Sequence, residues 1–198
     1  MKTKQTKTVG SYLSPAVRVI GALLSLVLLA AVSYGQGKRK GHKEKPPKVP
    51  AGLQVPAGNE LQAHLSAVGV QIYVWTINPT NAALSSWLLK APHAVLFGTE
   101  KDEKGDVLGI HFGGPTWEGN EGSKVVGTLI ASSTVDPHAI PWLLLSGVST
   151  GDGGPFAVTT YIQRVHTVGG LAPTTPGIAP NEEVLVPYIA DYYFYQAD

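Results

Sequence analysis

Apolar and polar positions alternate along most of the chain beyond Val55. In "AVGVQIYVW", Val70, Ile72 and Val74 fall on one face and Gln71, Tyr73 and Trp75 on the other. A period of two marks a β-strand. "VLGIHF" (Val107–Phe112) is rich in β-branched residues and bounded by Gly105 and Gly113. "SKVVGTLIAS" (Ser123–Ser132), "WLLLSGV" (Trp142–Val148), "FAVTTYIQRVHT" (Phe156–Thr167) and "EVLVPYIADYYFY" (Glu183–Tyr195) read the same way. Pro187 inside the last run points to an edge or a bulge. Turn signals separate the runs: "DEKGD", "EGNEG", "DPHAIP", "STGDGGP" and "GGLAPTTPGIAP". One short helix is expected around Asn81–Lys90, stopped by Pro92. Strands at this spacing, with no βαβ rhythm, predict an all-β fold. It would be an antiparallel β-sandwich or barrel of about 8 strands, with at most one or two short helices.

The stretch "GIHFGGPTWEGNEGSKVVG" (Gly109–Gly127) holds six glycines around His111, Trp117, Glu118 and Glu121. Glycine supplies backbone angles that other residues avoid, so "GGP" and "EGNEG" are read as reversals between strands. His111 and Trp117 are then strand residues beside turns.

Charge divides the chain. Residues 1–50 carry ten Lys/Arg and one acid, Glu44; residues 51–198 carry five Lys/Arg and thirteen acids. An acidic body argues against nucleic acid as a partner of the folded domain, because phosphates need a basic face. The chain has no cysteine, which removes disulfides, thiolate metal sites and a thiol nucleophile. Lys2, Lys4, Lys7 and Arg18 precede the apolar run Val19–Val32, and small residues follow. This is the layout of a signal peptide over 1–35, cut after Gly35 or after Ser33. The expected localisation is secreted or periplasmic. The alternative is an uncleaved membrane anchor, although the apolar run is shorter than the ~20 residues that span a bilayer. Residues 36–54 read as a basic, Pro-rich disordered linker. Its 38–48 segment is either a solvated spacer or a contact for an anionic envelope surface. Residues 55–198 then form a single all-β domain.

The candidate chemistry is sparse. Five histidines lie in the domain (His64, His93, His111, His138, His166), with no pair at metal-ligand spacing, so no metal site is read. Nothing calls for a cofactor: a glycine fingerprint at a strand–helix turn is missing, and "GDGG" (Gly151–Gly154) lacks the Lys-Ser/Thr of a phosphate loop. Glu118 and Glu121 are three apart, as a pair of carboxylates for acid/base work would allow, yet "WEGNEG" suits an exposed turn with Lys124 as counter-charge. Arg164 shares a strand face with Ile162 and His166. It is either paired with a carboxylate or an anion clamp on a sheet face or in a barrel mouth. Tyr73, Trp75, Trp117, Trp142 and the Tyr192–Tyr195 cluster are either core or a surface for sugar rings. The expected ligand-binding face therefore carries His111, Trp117, Glu118 and Arg164, for a carbohydrate or small-molecule ligand. The expected protein is an exported, non-catalytic binding or structural module. The alternative is a secreted hydrolase-type enzyme with Glu118 or His111 as acid/base.

"GVQIYVW", "APHAVLF", "GIHFGGPTWEGNEGSKVVG", "AIPWLLL", "TYIQRVHTVGG" and "VPYIADYYFY" together resemble the family of domains of unknown function numbered 3455. The resemblance runs from about Val55 to the end. It implies a secreted, β-rich domain of bacteria and fungi with no established activity. Some fungal relatives carry a malate-dehydrogenase label, which these residues do not support, since no βαβ unit is present.

Overall fold

The alternating segments pair in chain order. In the computed structural model, which describes residues 44–100 and 103–198, eight strands follow one another: β1 (Asn59–Thr76), β2 (Ser86–Gly98), β3 (Val107–Phe112), β4 (Thr116–Gly119), β5 (Lys124–Ser133), β6 (Trp142–Thr150), β7 (Thr159–Gly169) and β8 (Glu183–Ala197). Each is antiparallel to the next, and β8 returns to β1, closing an up-and-down barrel. Closure removes the exposed edges that an open sheet must protect. The expected all-β antiparallel architecture is thus realised as a barrel rather than a sandwich.

Two segments differ from the sequence reading. The helix expected at Asn81–Lys90 is a single 3-10 turn, Ala82–Leu84, and Ser86 onward belongs to β2. Trp87, Leu88 and Leu89 register against Trp75, Val74 and Tyr73 of β1, so cross-strand pairing overrides local propensity. The second is the N-terminal side of the domain. The expected signal peptide and the linker as far as Lys43 lie outside the described residues. Residues 44–54 of the expected linker do not hang free: they belong to the compact unit Glu44–Asp198. Ala51–Leu53 form a 3-10 turn, and Leu53 is only 1% exposed. Gln163 Nε2 donates to the Leu53 carbonyl at 2.6 Å. Val49 and Val55 pack on Val165, Tyr193 and Tyr195 on the outside of the wall. His64 Nδ1 meets Glu44 Oε1 at 2.6 Å and stacks on Tyr193 at 4.0 Å. Three apolar side chains in an otherwise basic stretch are enough to tie this strap down.

Pro187 sits inside a closed wall rather than at an edge, opposite Val70. Its carbonyl accepts from Gly170 N at 2.9 Å, where β7 has just ended. The missing N–H therefore falls where no full ladder is needed.

The interior alternates large and small residues. Trp117, Tyr188, Tyr192 and Phe194 fill it beside Ala67, Ala94 and Ala190. Phe156 packs edge-on against Phe194, with ring centroids 4.8 Å apart. An eight-stranded barrel is just wide enough for such a filling. On β1 it is Gln71, Tyr73 and Trp75 that are buried, while Val68 on the other face is exposed. Val168, Ile189, Val68, Val95 and Ile110 lie in register across five adjacent strands, forming an aliphatic row on the outer surface.

Candidate functional site

One end of the barrel interior is not filled. Gln71, Pro92, His111, Trp117, Leu143, Leu145, Arg164 and Tyr192 enclose a cavity of about 230 Å³. Leu89 and Leu129, 55% and 57% exposed, stand at its rim.

Strand alternation decides which side chains arrive. His111 and Trp117 are partners across β3 and β4, as are Ile110 and Glu118 one step away. Successive residues of a strand face opposite sides. His111 and Trp117 thus turn inward, and Glu118 turns outward with Ile110. There it forms an ion pair with Lys124 at 2.9 Å. Three of the four expected site residues converge on the cavity, and Glu118 is separated from them by the barrel wall. Glu121 accepts from the Ser123 hydroxyl in the turn after β4, and neither it nor Glu118 lines the cavity.

Trp117 is 1% exposed. Its ring stacks on His111 at 4.2 Å and meets Tyr192 edge-on at 5.3 Å. It is a cavity wall, not the exposed ledge a sugar-stacking surface needs. The His111 Nδ1 lies 2.8 Å from the Thr116 carbonyl. A carbonyl only accepts, so Nδ1 carries the proton and Nε2 is left as an acceptor. Burial drives the His111 pKa down to about 3; the bond to Thr116 opposes this, and the Arg164 charge adds to it. The imidazole is neutral across the physiological range, which makes it a poor acid or base near pH 7.

Arg164 reaches the cavity from β7. Its Nε and Nη2 donate to the Pro141 carbonyl at 3.2 and 2.8 Å. Among the described residues no carboxylate pairs with it. The ion-paired alternative for this arginine is therefore not what the structure holds. Its charge is felt by the groups around it. Burial pushes the Tyr192 hydroxyl pKa up, and Arg164 beside it pulls the other way. The same opposition acts on Tyr73.

His166 leaves the face that the alternation gave it beside Arg164. Its φ is +48°, within a bulge between Val165 and Val168. The kink turns it outward onto Asp191, 2.9 Å away, with Trp142 edge-on at 5.1 Å. His111 and His166 therefore sit on opposite sides of the wall, so no shared site forms between them.

Sequence reasoning did not single out Gln71, which is 2% exposed and whose Nε2 has no partner among the described residues. Trp117 Nε1 is likewise buried with no partner among the described residues. The signal for Gln71 was present: one amide amid the valines and isoleucine of β1. The expected aromatic surface is dispersed. Tyr73 is buried and donates to the Gly170 carbonyl at 2.7 Å. Trp75 packs against Trp87. Trp142 joins the outer cluster under the strap.

The model of a family described as "Protein of unknown function (DUF3455)" matches residues 56–196 and so takes in all eight strands except Ala197, the last residue of β8. No curated protein and no solved structure matches the chain. The match covers well over half of the sequence, and the barrel with its half-filled interior is what that region folds into. The chain belongs to this family of proteins of unknown function, DUF3455.

Proposed function

We propose that the domain is a non-catalytic binding module that holds a small molecule in the barrel cavity. The observation that carries this reading is a cavity whose lining includes Gln71 and Trp117, each with a buried donor, Nε2 and Nε1, that has no partner among the described residues. Buried polar groups are nearly always hydrogen-bonded, and an unmet one costs roughly 1–3 kcal/mol. A cavity lined by apolar side chains with a few convergent polar groups is the usual form of a small-molecule site. The enzyme reading has less support: His111 stays neutral, and Glu118 lies outside the wall with Lys124. Sugar binding through an exposed aromatic face is also disfavoured, because Trp117 is enclosed.

In the same reading the chain is exported and its signal peptide is removed. The support is the basic start, the apolar run and the small residues after it. Mass spectrometry of the mature protein is expected to find a first residue of Gln36 or Tyr34. A mature chain beginning at Met1 would overturn cleavage.

The binding claim is tested by ligand-observed NMR with a fragment set of neutral and charged ring compounds. Fragments are expected to bind with Kd below about 1 mM and to lose binding in Leu143→Trp, which fills the cavity. Binding that survives the filled cavity, or none at all from the whole set, would remove the cavity as the site.

A further inference from the structure

The polar feature that distinguishes this cavity is a cation with no carboxylate partner among the described residues. The domain is acidic, and two of its lysines are neutralised in place: Lys90 pairs with Glu183 at 2.5 Å and Lys124 with Glu118 at 2.9 Å. Arg164 bonds the Pro141 carbonyl and shares a hydrogen bond with the Tyr192 hydroxyl, and among the described residues no carboxylate pairs with it. Two of its five N–H groups are spent on Pro141 and one is turned to the Tyr192 hydroxyl, which leaves two, the number a carboxylate takes. A half-buried guanidinium facing leucines and a proline loses hydration and gains no Coulomb partner in return. His111, Tyr73, Tyr188 and Tyr192 all sense its positive charge, so the potential inside this end of the barrel is positive. Resting on the reading of the cavity as a binding site, we infer that its ligand is a small organic monocarboxylate whose carboxylate sits on the Arg164 guanidinium and whose apolar body packs against Trp117, Leu143 and Leu145.

Three features narrow the class. The guanidinium fork matches the two oxygens of a carboxylate, and such charge-assisted pairs are about twice as strong as neutral hydrogen bonds. One unpaired cation suits one negative charge. A dianionic phosphate would face the Glu183 carboxylate, held on the rim lysine Lys90, with a single arginine to offset it. Size sets the rest. An apolar cavity of about 150 Å³ accommodates benzene, so about 230 Å³ takes one ring or a short branched chain with an acid arm. Polyols fit poorly, because most of the lining offers no hydrogen bonds.

The test compares phenylacetate with its neutral isostere 2-phenylacetamide by isothermal titration calorimetry on the full-length protein, with phenyl phosphate and glucose as further arms. Phenylacetate is expected to bind at least about ten-fold more tightly than the amide, a difference of about 1.4 kcal/mol. Arg164→Gln is expected to erase that preference, and Arg164→Lys to retain part of it. Because Arg164→Gln also gives up the bonds to Pro141, the acid-to-amide ratio on the unaltered protein decides independently of whether the variant folds. Equal binding of acid and amide, both lost in Leu143→Trp, would overturn the carboxylate assignment and leave the cavity reading standing. A preference for phenyl phosphate or glucose would overturn it likewise. Failure of all four compounds, with no hit in the fragment set, would overturn both.

Discussion

Gly127 shows how tightly the filled part of the interior is packed. A Cβ built there lies 3.0 Å from both Leu145 Cδ2 and Trp117 Cζ3. A branched side chain must push the indole or the leucine aside. Gly127→Val is expected to cost about 1–3 kcal/mol, read from the midpoint of urea unfolding; an unchanged midpoint would contradict the packing described. His111 sets a pH dependence. Its folded pKa of about 3 lies below the unfolded 6.5, so between these values the unfolded chain binds the extra proton. Stability is therefore full above pH 6.5 and falls as pH drops, at a slope approaching about 1.4 kcal/mol per unit. His64 works in the opposite sense. Burial lowers its pKa, but bonds to Asp191 and Glu44 outweigh this and leave it raised. Its contribution is full below 6.5 and lost as pH rises through the folded value, and it is the smaller of the two because the pair is partly solvated. Net loss of stability on acidification is expected in the unaltered protein, and His111→Gln is expected to flatten it. The check is urea unfolding at several pH values between about 4 and about 7. Of the four candidate residues, His111, Trp117 and Arg164 share one cavity because strand alternation turns each of them inward. Glu118 was misplaced because a turn-adjacent residue gives too few neighbours to fix that face. His166 was misplaced because a bulge, invisible in the alternation, rotates everything after it.

At the scale of elements, the strap and β2 carry the lessons. The strap crosses the outside of the wall and seats Leu53 in full burial, with its carbonyl on Gln163. Gln163 in turn accepts from the Tyr195 hydroxyl at 2.6 Å. Leu53→Ala is expected to destabilise the domain by about 2–5 kcal/mol, measured by thermal or urea unfolding. A loss below about 0.5 kcal/mol would mean that the strap is peripheral. Composition hid this segment, since lysines and prolines outnumber its apolar residues and the burial depends on a surface built from β5, β6, β7 and β8. In β2 the run "SWLLK" fits helix and strand equally over so short a span. Pairing with β1 decided it. β3, β5, β6, β7 and β8 were legible because each is a longer β-branched or alternating run between glycine or proline signals.

For the whole molecule, closure is the governing fact. Every strand has two hydrogen-bonded neighbours, so no strand can leave without opening the ring. Far-UV circular dichroism and tryptophan fluorescence are expected to report one coincident unfolding transition; separate midpoints would show that part of the wall melts alone. The sequence by itself determined the class of the fold, the number of strands to within a small margin, the turns around the glycines and the family. These are local properties: a period of two, a glycine at a reversal and an ordered series of motifs are all read along the chain. Only the tertiary structure decided that the sheet closes, because closure is a pairing between the first and last strands, Leu65 against Tyr192 for one, across more than a hundred residues. It also decided which face is inside. Val70, Ile72 and Val74 look like core, yet the aromatic and amide face of β1 is the buried one, because both faces of these strands are largely apolar and alternation separates two faces without saying which is enclosed. The cavity follows from that choice. Arg164, Gln71 and Trp117 lie on three different strands, and only the curvature of the closed wall turns them toward one point.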